Sequence, residues 1–369
     1  MKRTGFTILP LHRGHAPRWL IYRMENLSRE ITWLIINEYG TDEFLRRFSN
    51  PYWFQALGCV LGFDWHSSGL TTVVTGVLKR VLSHENYGIK VAGGKGKASL
   101  KTQSEIDNIG GDFNLSSSKI EKSKYASRIC AKVDNVAIQA GYPLYHHTFF
   151  LTEKGEWSVI QQGMNVQDRT ARRYHWLSKD LDSFVVEPHK AIVGDVKKPL
   201  VLNMTAREAE ENRKTCVDLM KENPSNLISS IKRMSNPLTL DLWTQDQIRI
   251  AKIEGFSMPR NLNWEIFKRL YEFQPKNYEE LLSFKGVGPS IVRALALISE
   301  LVYGKPTSWK DPVKYSFAFG GKDGVPRPID KKEMDKAIRI LHDAIEQAEI
   351  GQKEKVQALE RLQKFVITV

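Results

Sequence analysis

The sequence has little cysteine and no long apolar run. Its three cysteines, Cys59, Cys130 and Cys216, lie far apart among its 369 residues. Neither a disulfide framework nor the ligand spacing of a zinc site is therefore predicted. No stretch of about 18 apolar residues is present, which excludes a membrane-spanning helix. The first residues also lack the apolar run of a secretory signal. These absences favour a protein of the reducing cytoplasm.

Two common catalytic motifs are also missing. Gly88 and Gly93 have the spacing of a phosphate-binding Walker A loop, but Gly94 stands where that loop requires lysine. The chain has no Gly-x-Ser-x-Gly nucleophile elbow. Hydrolysis of nucleoside triphosphates by a P-loop and α/β-hydrolase chemistry are therefore not predicted.

Positive charge is what the sequence has in excess. Lysine and arginine number 54 against 42 aspartates and glutamates, which gives a net charge of +12. A balance of this kind suits a polyanionic partner. Many basic proteins nevertheless bind no nucleic acid, so the charge needs a second indication.

Residues 277–301 provide that indication. Asn277 and Glu280 have the spacing of a capping box that opens a short helix. Gly286 and Gly288 then allow a turn whose backbone amides point outward. Pro289 suits the first position of the next helix, which has an apolar face. Amides exposed at a helix N-terminus attract anions.

This pattern resembles the helix-hairpin-helix motif of DNA repair and recombination proteins, which holds backbone phosphates without reading bases. The alternative is an ordinary turn between two helices. The resemblance implies a DNA partner, although RNA is not excluded. The residues expected to contact DNA are Lys285, Gly286, Val287, Gly288 and Ser290.

The overall pattern predicts an α+β fold of two domains. Residues 1–204 mix strands, loops and helices and form the predicted mixed α/β domain, which would carry the chemistry. Residues 205–369 form the predicted all-helical domain, opened by a capping box at Thr205 and Glu208. Further helices are expected near 225–234, 244–254, 263–273, 330–350 and 352–366.

The glycine- and lysine-rich stretch 91–107 is expected to be an irregular loop. In that loop Lys95 and Lys97 would either contact nucleic acid or simply be solvated.

The strongest catalytic candidates are Asp64 and His66. They come just before Ser67, Ser68 and Gly69, which are expected to open a helix whose amides can hold phosphate. Cleavage of a phosphodiester needs a general base or a metal-ligand set, and an Asp–His pair beside an anion site supplies either. We therefore predict Asp64 and His66 as catalytic or metal-binding residues, with Mg²⁺ or Mn²⁺ as the metal. The alternative is a helix cap with a structural histidine.

Second candidates for the same site are His12, His15 and Gln161. Residues 145–152 and 156–162 are predicted to form a β-hairpin, in which Gln161 and Gln162 end an apolar strand on opposite faces. Because an unpaired buried amide is costly, these glutamines are expected to line a site. Hydrogen-bonded residues at a strand end are the alternative. His146 and His147 are likewise expected on opposite faces.

Two further interpretations concern charged residues of the N-terminal half. Arg172 and Arg173 alternate with aromatic residues, a pattern that suits phosphate clamping and base stacking. A solvated basic surface is the alternative. Asp134 is a candidate metal-binding carboxylate.

Six segments together carry a resemblance that covers nearly the whole chain. They resemble one uncharacterised bacterial and archaeal family that is known only as a domain of unknown function, so the resemblance implies identity without chemistry. The segments are HRGHAPRWL, DWHSSGLTT, YHHTFF with WSVIQQGM, ARRYHWLS and FAFGGKDGVPRPID.

A second, local resemblance is to helix-hairpin-helix DNA glycosylases. In those enzymes the hairpin and its helix are followed by a Pro-Val-Asp-type motif with a catalytic aspartate, here matched by Pro328-Ile329-Asp330. Ser290 stands where bifunctional members carry the Schiff-base lysine, so lyase chemistry by that lysine is not expected. The gap to Asp330 is also longer than in that family. Asp330 with Glu333 alternatively forms a helix capping box.

Three functions follow, in order of preference. The first is a DNA-processing enzyme, an endonuclease that cleaves damaged or structured DNA. The second is a base-excision glycosylase that uses Asp330. The third is a DNA-binding protein without enzymatic activity. The expected location is the cytoplasm, in association with the nucleoid, and a homodimer is left open.

Overall fold

The computed structural model describes residues 18–62, 69–194, 196–234, 258–259, 262–313, 331–348 and 350–368. The predicted helix near 244–254 lies outside these ranges. Within them, no helix is long and apolar enough to cross a membrane.

A five-stranded sheet forms the centre of the molecule. Its spatial order is β1-β3-β4-β5-β6, and every neighbouring pair is antiparallel. A second sheet pairs the two-residue strands β2 and β7. The strands are β1 Ile89–Lys95, β2 Ile138–Gln139, β3 Leu144–Thr152, β4 Trp157–Asn165, β5 Thr170–Leu177, β6 Ala191–Gly194 and β7 Leu202–Asn203.

The predicted hairpin 145–162 is confirmed as strands β3 and β4. Aromatic and β-branched residues fill both strands, which suits a pleated sheet that is buried on both faces. Gly155 in the connecting turn has φ +88°, a conformation that glycine adopts without strain. The strands pair with Phe149 opposite Val159.

Helices of the N-terminal and C-terminal ends cover one face of the sheet. The cluster there contains Phe150 and Ile160 of the sheet together with apolar side chains of these helices. Asn50 opens the second helix, since its side chain accepts the amides of Tyr52 and Trp53. The helices are α1 Arg18–Phe48, which Gly40 interrupts, α2 Pro51–Val60, α3 Gly69–His84, α11 Lys331–Gln347 and α12 Gln352–Thr368.

The remaining described helices cover the opposite face. There Phe149, Val159 and Trp176 of the sheet pack against them in one cluster. These helices are α4 Thr102–Asp112, α5 Ser117–Lys132, α6 Glu210–Leu219, α7 Pro224–Met234, α8 Trp264–Phe273, α9 Tyr278–Ser283 and α10 Pro289–Leu301. A 3-10 helix, Gly96–Lys101, precedes α4, and a π-helix, Val133–Ala137, follows α5.

The mixed α/β character predicted from the sequence is confirmed. Each of the two clusters contains residues from both sides of residue 204, because α6 to α10 join one and α11 and α12 join the other. The helices after residue 205 thus cover both faces of the sheet. The division into two domains stays a prediction.

Two local predictions were wrong. The stretch 91–107 is not irregular, because its backbone pairs with β3 and then forms the 3-10 helix and the start of α4. Thr205 does not cap a helix, because its hydroxyl donates to Asn203 Oδ1 at 2.7 Å, and α6 begins at Glu210. The glycines and lysines of 91–107 are not typical of a strand, and this strand forms because it pairs with β3.

Candidate nucleic-acid interface

The segment between α9 and α10 is a tight helical hairpin at the surface. Asn277 opens α9 as expected, accepting the amide of Glu280 at 2.9 Å. The Glu280 carboxylate accepts the amide of Lys276 at 2.9 Å rather than that of Asn277. Val287 is buried and fixes the turn to the core, while Lys285 is exposed. We call residues 284–290 the hairpin turn.

The two glycines of the hairpin turn have different roles. Gly286 has φ +104°, and a Cβ at this position would overlap the side chain of Ile266. Gly288 has φ −127° and ψ −176°, which any residue adopts, and no atom lies within 4 Å of where its Cβ would be. Gly286 is therefore required by the fold, whereas Gly288 leaves open space in front of the helix.

Three carbonyl groups of the hairpin turn accept hydrogen bonds from side chains of the protein. Lys132 Nζ donates to the carbonyl oxygens of Val287 and Phe284. Gln139 Nε2 donates to that of Pro289 at 2.8 Å. These negative dipole ends are thus paired with donors of α5 and β2.

The amides of the first turn of α10, in contrast, have no partner within the helix. Ser290 and Ile291 follow Pro289 in the first turn of α10, where an amide has no acceptor within the helix. The backbone dipoles of a helix also give its start a partial positive charge. With Ser290 exposed, this arrangement can accept an anion.

A second basic element lies at the same end of the sheet. Strand β1 ends with Lys95 opposite His146, near the start of β3. Strand β2, whose Gln139 contacts the hairpin turn, is joined to the start of β3 by residues 140–143 alone. The segment 95–101, here called the lysine loop, therefore lies on the side of the molecule that carries the hairpin turn.

The lysine loop retains its positive charge. Lys95, Lys97 and Lys101 are exposed, and none of them forms an ion pair with any residue that the structure describes. Nearby carboxylates are neutralised by other lysines: Glu105 binds Lys79 and Asp112 binds Lys90, each at 2.6 Å. The exposure of Lys95 and Lys97 is consistent with the predicted contact to a polyanion, which stays a prediction.

Arg172 does not reach this surface. Its side chain is fully buried, donates to Asp311 at 2.6 Å and lies over the ring of Tyr142 at 4.5 Å. A buried guanidinium in an ion pair is unavailable to a phosphate outside the protein. We therefore remove Arg172 from the expected phosphate contacts.

Arg173 is buried on the opposite face of the same strand. It donates to His175 Nε2 at 2.8 Å and to Gln55 Oε1 at 3.2 Å, and it lies over the ring of Phe54 at 4.4 Å. Its exposed fraction is 2%. The alternation of arginine with aromatic residues thus reflects stacking inside the protein, and Arg173 is also removed.

Gln161 belongs to a closed network on the face that carries α5. Its amide donates to Asp134 and its carbonyl accepts His147 Nδ1 at 2.7 Å. Asp134 also accepts Trp176 Nε1 at 3.0 Å and binds His189. Every polar atom of Gln161 has a partner, so this residue lines no open site.

Burial controls ionisation in this network. It raises the pKa of Asp134, against the lowering influence of His189. It also lowers the pKa of His147 to about 4, so the ring is neutral near pH 7. A neutral ring that donates from Nδ1 to Gln161 accepts at Nε2 from the Ser127 hydroxyl at 2.9 Å. Asp134 therefore has a structural environment, and its predicted role as a metal ligand has no support here.

The opposite face carries a second polar cluster, which is the one that meets α3. Thr71, in the first turn of α3, binds Gln162, and Gln162 binds Tyr145. Thr75 binds His146 Nε2 at 3.0 Å. The predicted alternation of the strands is confirmed, and it separates Gln161 from the start of α3 by the thickness of the sheet. Gln162 is the glutamine that faces that helix.

Several predicted site residues lie outside the described ranges. These are His12, His15, Asp64, His66 and Asp330. Gly69, which follows the predicted Asp–His pair, begins α3 as expected. Among the residues that are described, no group of three or more histidine, cysteine, aspartate or glutamate side chains can hold a metal ion.

Sequence reasoning missed the residues that support the hairpin turn. Lys132 and Gln139 precede the carbonyls they bind by 155 and 150 positions. No local pattern marks such a contact.

The fold and this surface define a mixed α/β protein with an exposed helical hairpin. The family model described as "Protein of unknown function (DUF763)" matches residues 5–329, so the chain belongs to that family. This confirms the resemblance to a domain of unknown function. No curated protein matches the chain, and no solved structure matches it.

Proposed function

We propose that this protein binds the DNA backbone through the hairpin turn and the lysine loop, and that it does so as a DNA-processing enzyme. The observation that carries the proposal is the division of the hairpin backbone. Three of its carbonyls are bound by Lys132 and Gln139, whereas no side chain caps the first amides of α10. That division is what a helix-hairpin-helix motif would need to hold a phosphate.

Gly288 provides the direct test. Gly288→Val fills the open space before α10 without backbone strain, so the protein should fold normally while a phosphate is kept away. We expect its affinity for a duplex oligonucleotide to fall by about tenfold or more. Fluorescence anisotropy over a range of salt concentrations measures the effect.

Gly76→Val is the matched control. Gly76 is exposed in α3, outside the hairpin turn, and has no atom within 4 Å of its Cβ position. This variant should bind DNA like the parent protein. If folded Gly288→Val binds duplex as tightly as Gly76→Val does, the hairpin turn is not the phosphate contact.

The proposed reaction is phosphodiester cleavage. Asp64 and His66 immediately precede α3, whose first turn reaches Gln162 near the start of β3 and therefore near the lysine loop. The start of α3 thus lies near the proposed DNA contact, and we propose that cleavage takes place there. A divalent metal, Mg²⁺ or Mn²⁺, fits this chemistry, so cleavage of labelled DNA should be compared with and without EDTA.

Two variants separate cleavage from base excision. Under the nuclease proposal, His66→Ala abolishes strand cleavage and Asp330→Asn retains it. If the parent protein instead releases a free base and Asp330→Asn does not, the protein is a glycosylase and the nuclease proposal is wrong. If the protein binds DNA tightly and with a strong salt dependence but leaves it intact with either metal present, it is a DNA-binding protein without enzymatic activity.

A further inference from the structure

The tip of the lysine loop carries an exposed apolar side chain. Leu100 is 82% exposed, the largest exposure of any large hydrophobic side chain among the described residues. It lies between Lys97 and Lys101 in the 3-10 helix Gly96–Lys101. A leucine so exposed adds little to the packing of the protein, and here it stands among three exposed lysines that form no ion pair with the described residues.

The backbone beneath Leu100 is firmly held. Ser99 Oγ donates to the carbonyl of Gly96 and Thr102 Oγ1 to that of Ser99, both at 2.7 Å. Thr102 is itself buried at the start of α4. Leu100 is therefore presented on an ordered turn.

A further anchor fixes the start of the loop. The amide of Gly93 donates to Glu105 at 2.7 Å, and Lys79 donates to the carbonyl of Gly93 at 2.8 Å. At Gly93 a Cβ would overlap the backbone of His147, so the strand must approach β3 closely before it turns outward. The loop is thus attached to the sheet through both α3 and α4.

We propose that Leu100 is a wedge that enters between adjacent base pairs of duplex DNA while Lys95, Lys97 and Lys101 contact the flanking phosphates. This inference rests on the proposed DNA binding. Single apolar side chains flanked by cations are suited to unstacking a base step. Binding to an anionic membrane instead relies on a larger apolar face, and the loop offers one leucine.

The test combines affinity with a report on base stacking. A short duplex that carries 2-aminopurine becomes more fluorescent where stacking is lost. The full-length protein should raise this fluorescence, and Leu100→Ala should abolish the rise and weaken binding by about tenfold. Leu100→Met keeps a long apolar side chain and should preserve both signals.

Val356→Ala is the control, since Val356 is 51% exposed on α12 against the other face of the sheet. This variant should match the parent protein in both measurements. If Leu100→Ala raises the fluorescence as the parent does while Gly288→Val binds weakly, the wedge is refuted and the hairpin proposal stands. If the parent protein binds no duplex, both fail.

Vesicles of phosphatidylcholine and phosphatidylglycerol test whether Leu100 instead binds an anionic membrane. Under the wedge proposal, sedimentation with these vesicles does not depend on residue 100. Loss of vesicle binding by Leu100→Ala with unchanged duplex binding would overturn the proposal in favour of a membrane contact.

Discussion

The hairpin turn and strand β5 both have sequence patterns that suit phosphate binding, and they occupy opposite environments. The hairpin turn offers backbone amides, with Lys285 and Ser290 exposed. Strand β5 contains Arg172 and Arg173, whose guanidinium groups are buried. The difference shows that a positive side chain in the sequence does not reveal whether its partner is an anion outside the protein or a carboxylate inside it. Glycine and proline spacing constrains the backbone itself, and the predicted turn is present.

This comparison predicts that variants of β5 affect stability and variants of the hairpin surface affect DNA affinity. The largest effect is expected at Arg172. Arg172→Met leaves the buried Asp311 carboxylate without its cation, which should lower the free energy of unfolding by about 3–5 kcal/mol. Urea unfolding measures the change.

A second variant checks that the cause is the unpaired charge. Asp311→Asn removes the charge and keeps an acceptor for the amide of Lys198, so Arg172→Met with Asp311→Asn should recover part of the loss. The folded fraction of either variant should bind duplex like the parent protein. Reduced affinity in folded Arg172→Met would return Arg172 to the DNA contacts and break the comparison.

The pH dependence of stability tests the interior from another direction. Burial lowers the pKa of His147 to about 4, below the value of about 6.5 expected in the unfolded chain. The unfolded state therefore binds a proton first as pH falls. Stability should decrease from about pH 6.5 towards pH 4, with His147 contributing about 1.4 kcal/mol per pH unit.

His146 and His175 act in the same direction, because burial also lowers their pKa values. The variant His147→Gln isolates the contribution of His147. At pH 5 this variant should take up about one proton fewer on unfolding than the parent protein does. Urea midpoints measured between pH 7 and pH 5 give this slope. An identical slope in the variant would mean that His147 is protonated in the folded protein.

Gly286 sharpens the comparison within the hairpin turn. Gly286→Ala should cost about 1–2 kcal/mol of unfolding free energy, since alanine disfavours φ +104° and its Cβ meets Ile266. Gly288→Ala should cost less in the same thermal or urea measurement, since its backbone is unstrained and its Cβ position is open, and only a less favourable helix cap opposes it. Equal stabilities of the two alanine variants would show that the turn relaxes at no cost.

Local signals account for what was predictable from the sequence. Glycine, proline and capping residues located the hairpin turn, and strict alternation assigned the faces of β3 and β4. The burial of Arg172 depends on Asp311, which is 139 residues away. The strand in 91–107 depends on pairing with β3, which its glycine and lysine content conceals. Contacts between distant segments decided the predictions that failed.

The smallest effect separates the lysine loop from β5. Lys97 is exposed and forms no ion pair with the described residues, so Lys97→Ala should leave stability unchanged. Loss of one phosphate contact should reduce the slope of log affinity against log salt by about 0.9 and weaken binding modestly at low salt. Anisotropy titrations at several salt concentrations measure the slope, with Lys353→Ala on α12 as the control.

Because Lys353 is also exposed but lies on a helix that covers the other face of the sheet, an equal loss of slope in both variants would indicate a diffuse field. A loss confined to Lys97→Ala would place a phosphate at the lysine loop, beside the hairpin turn.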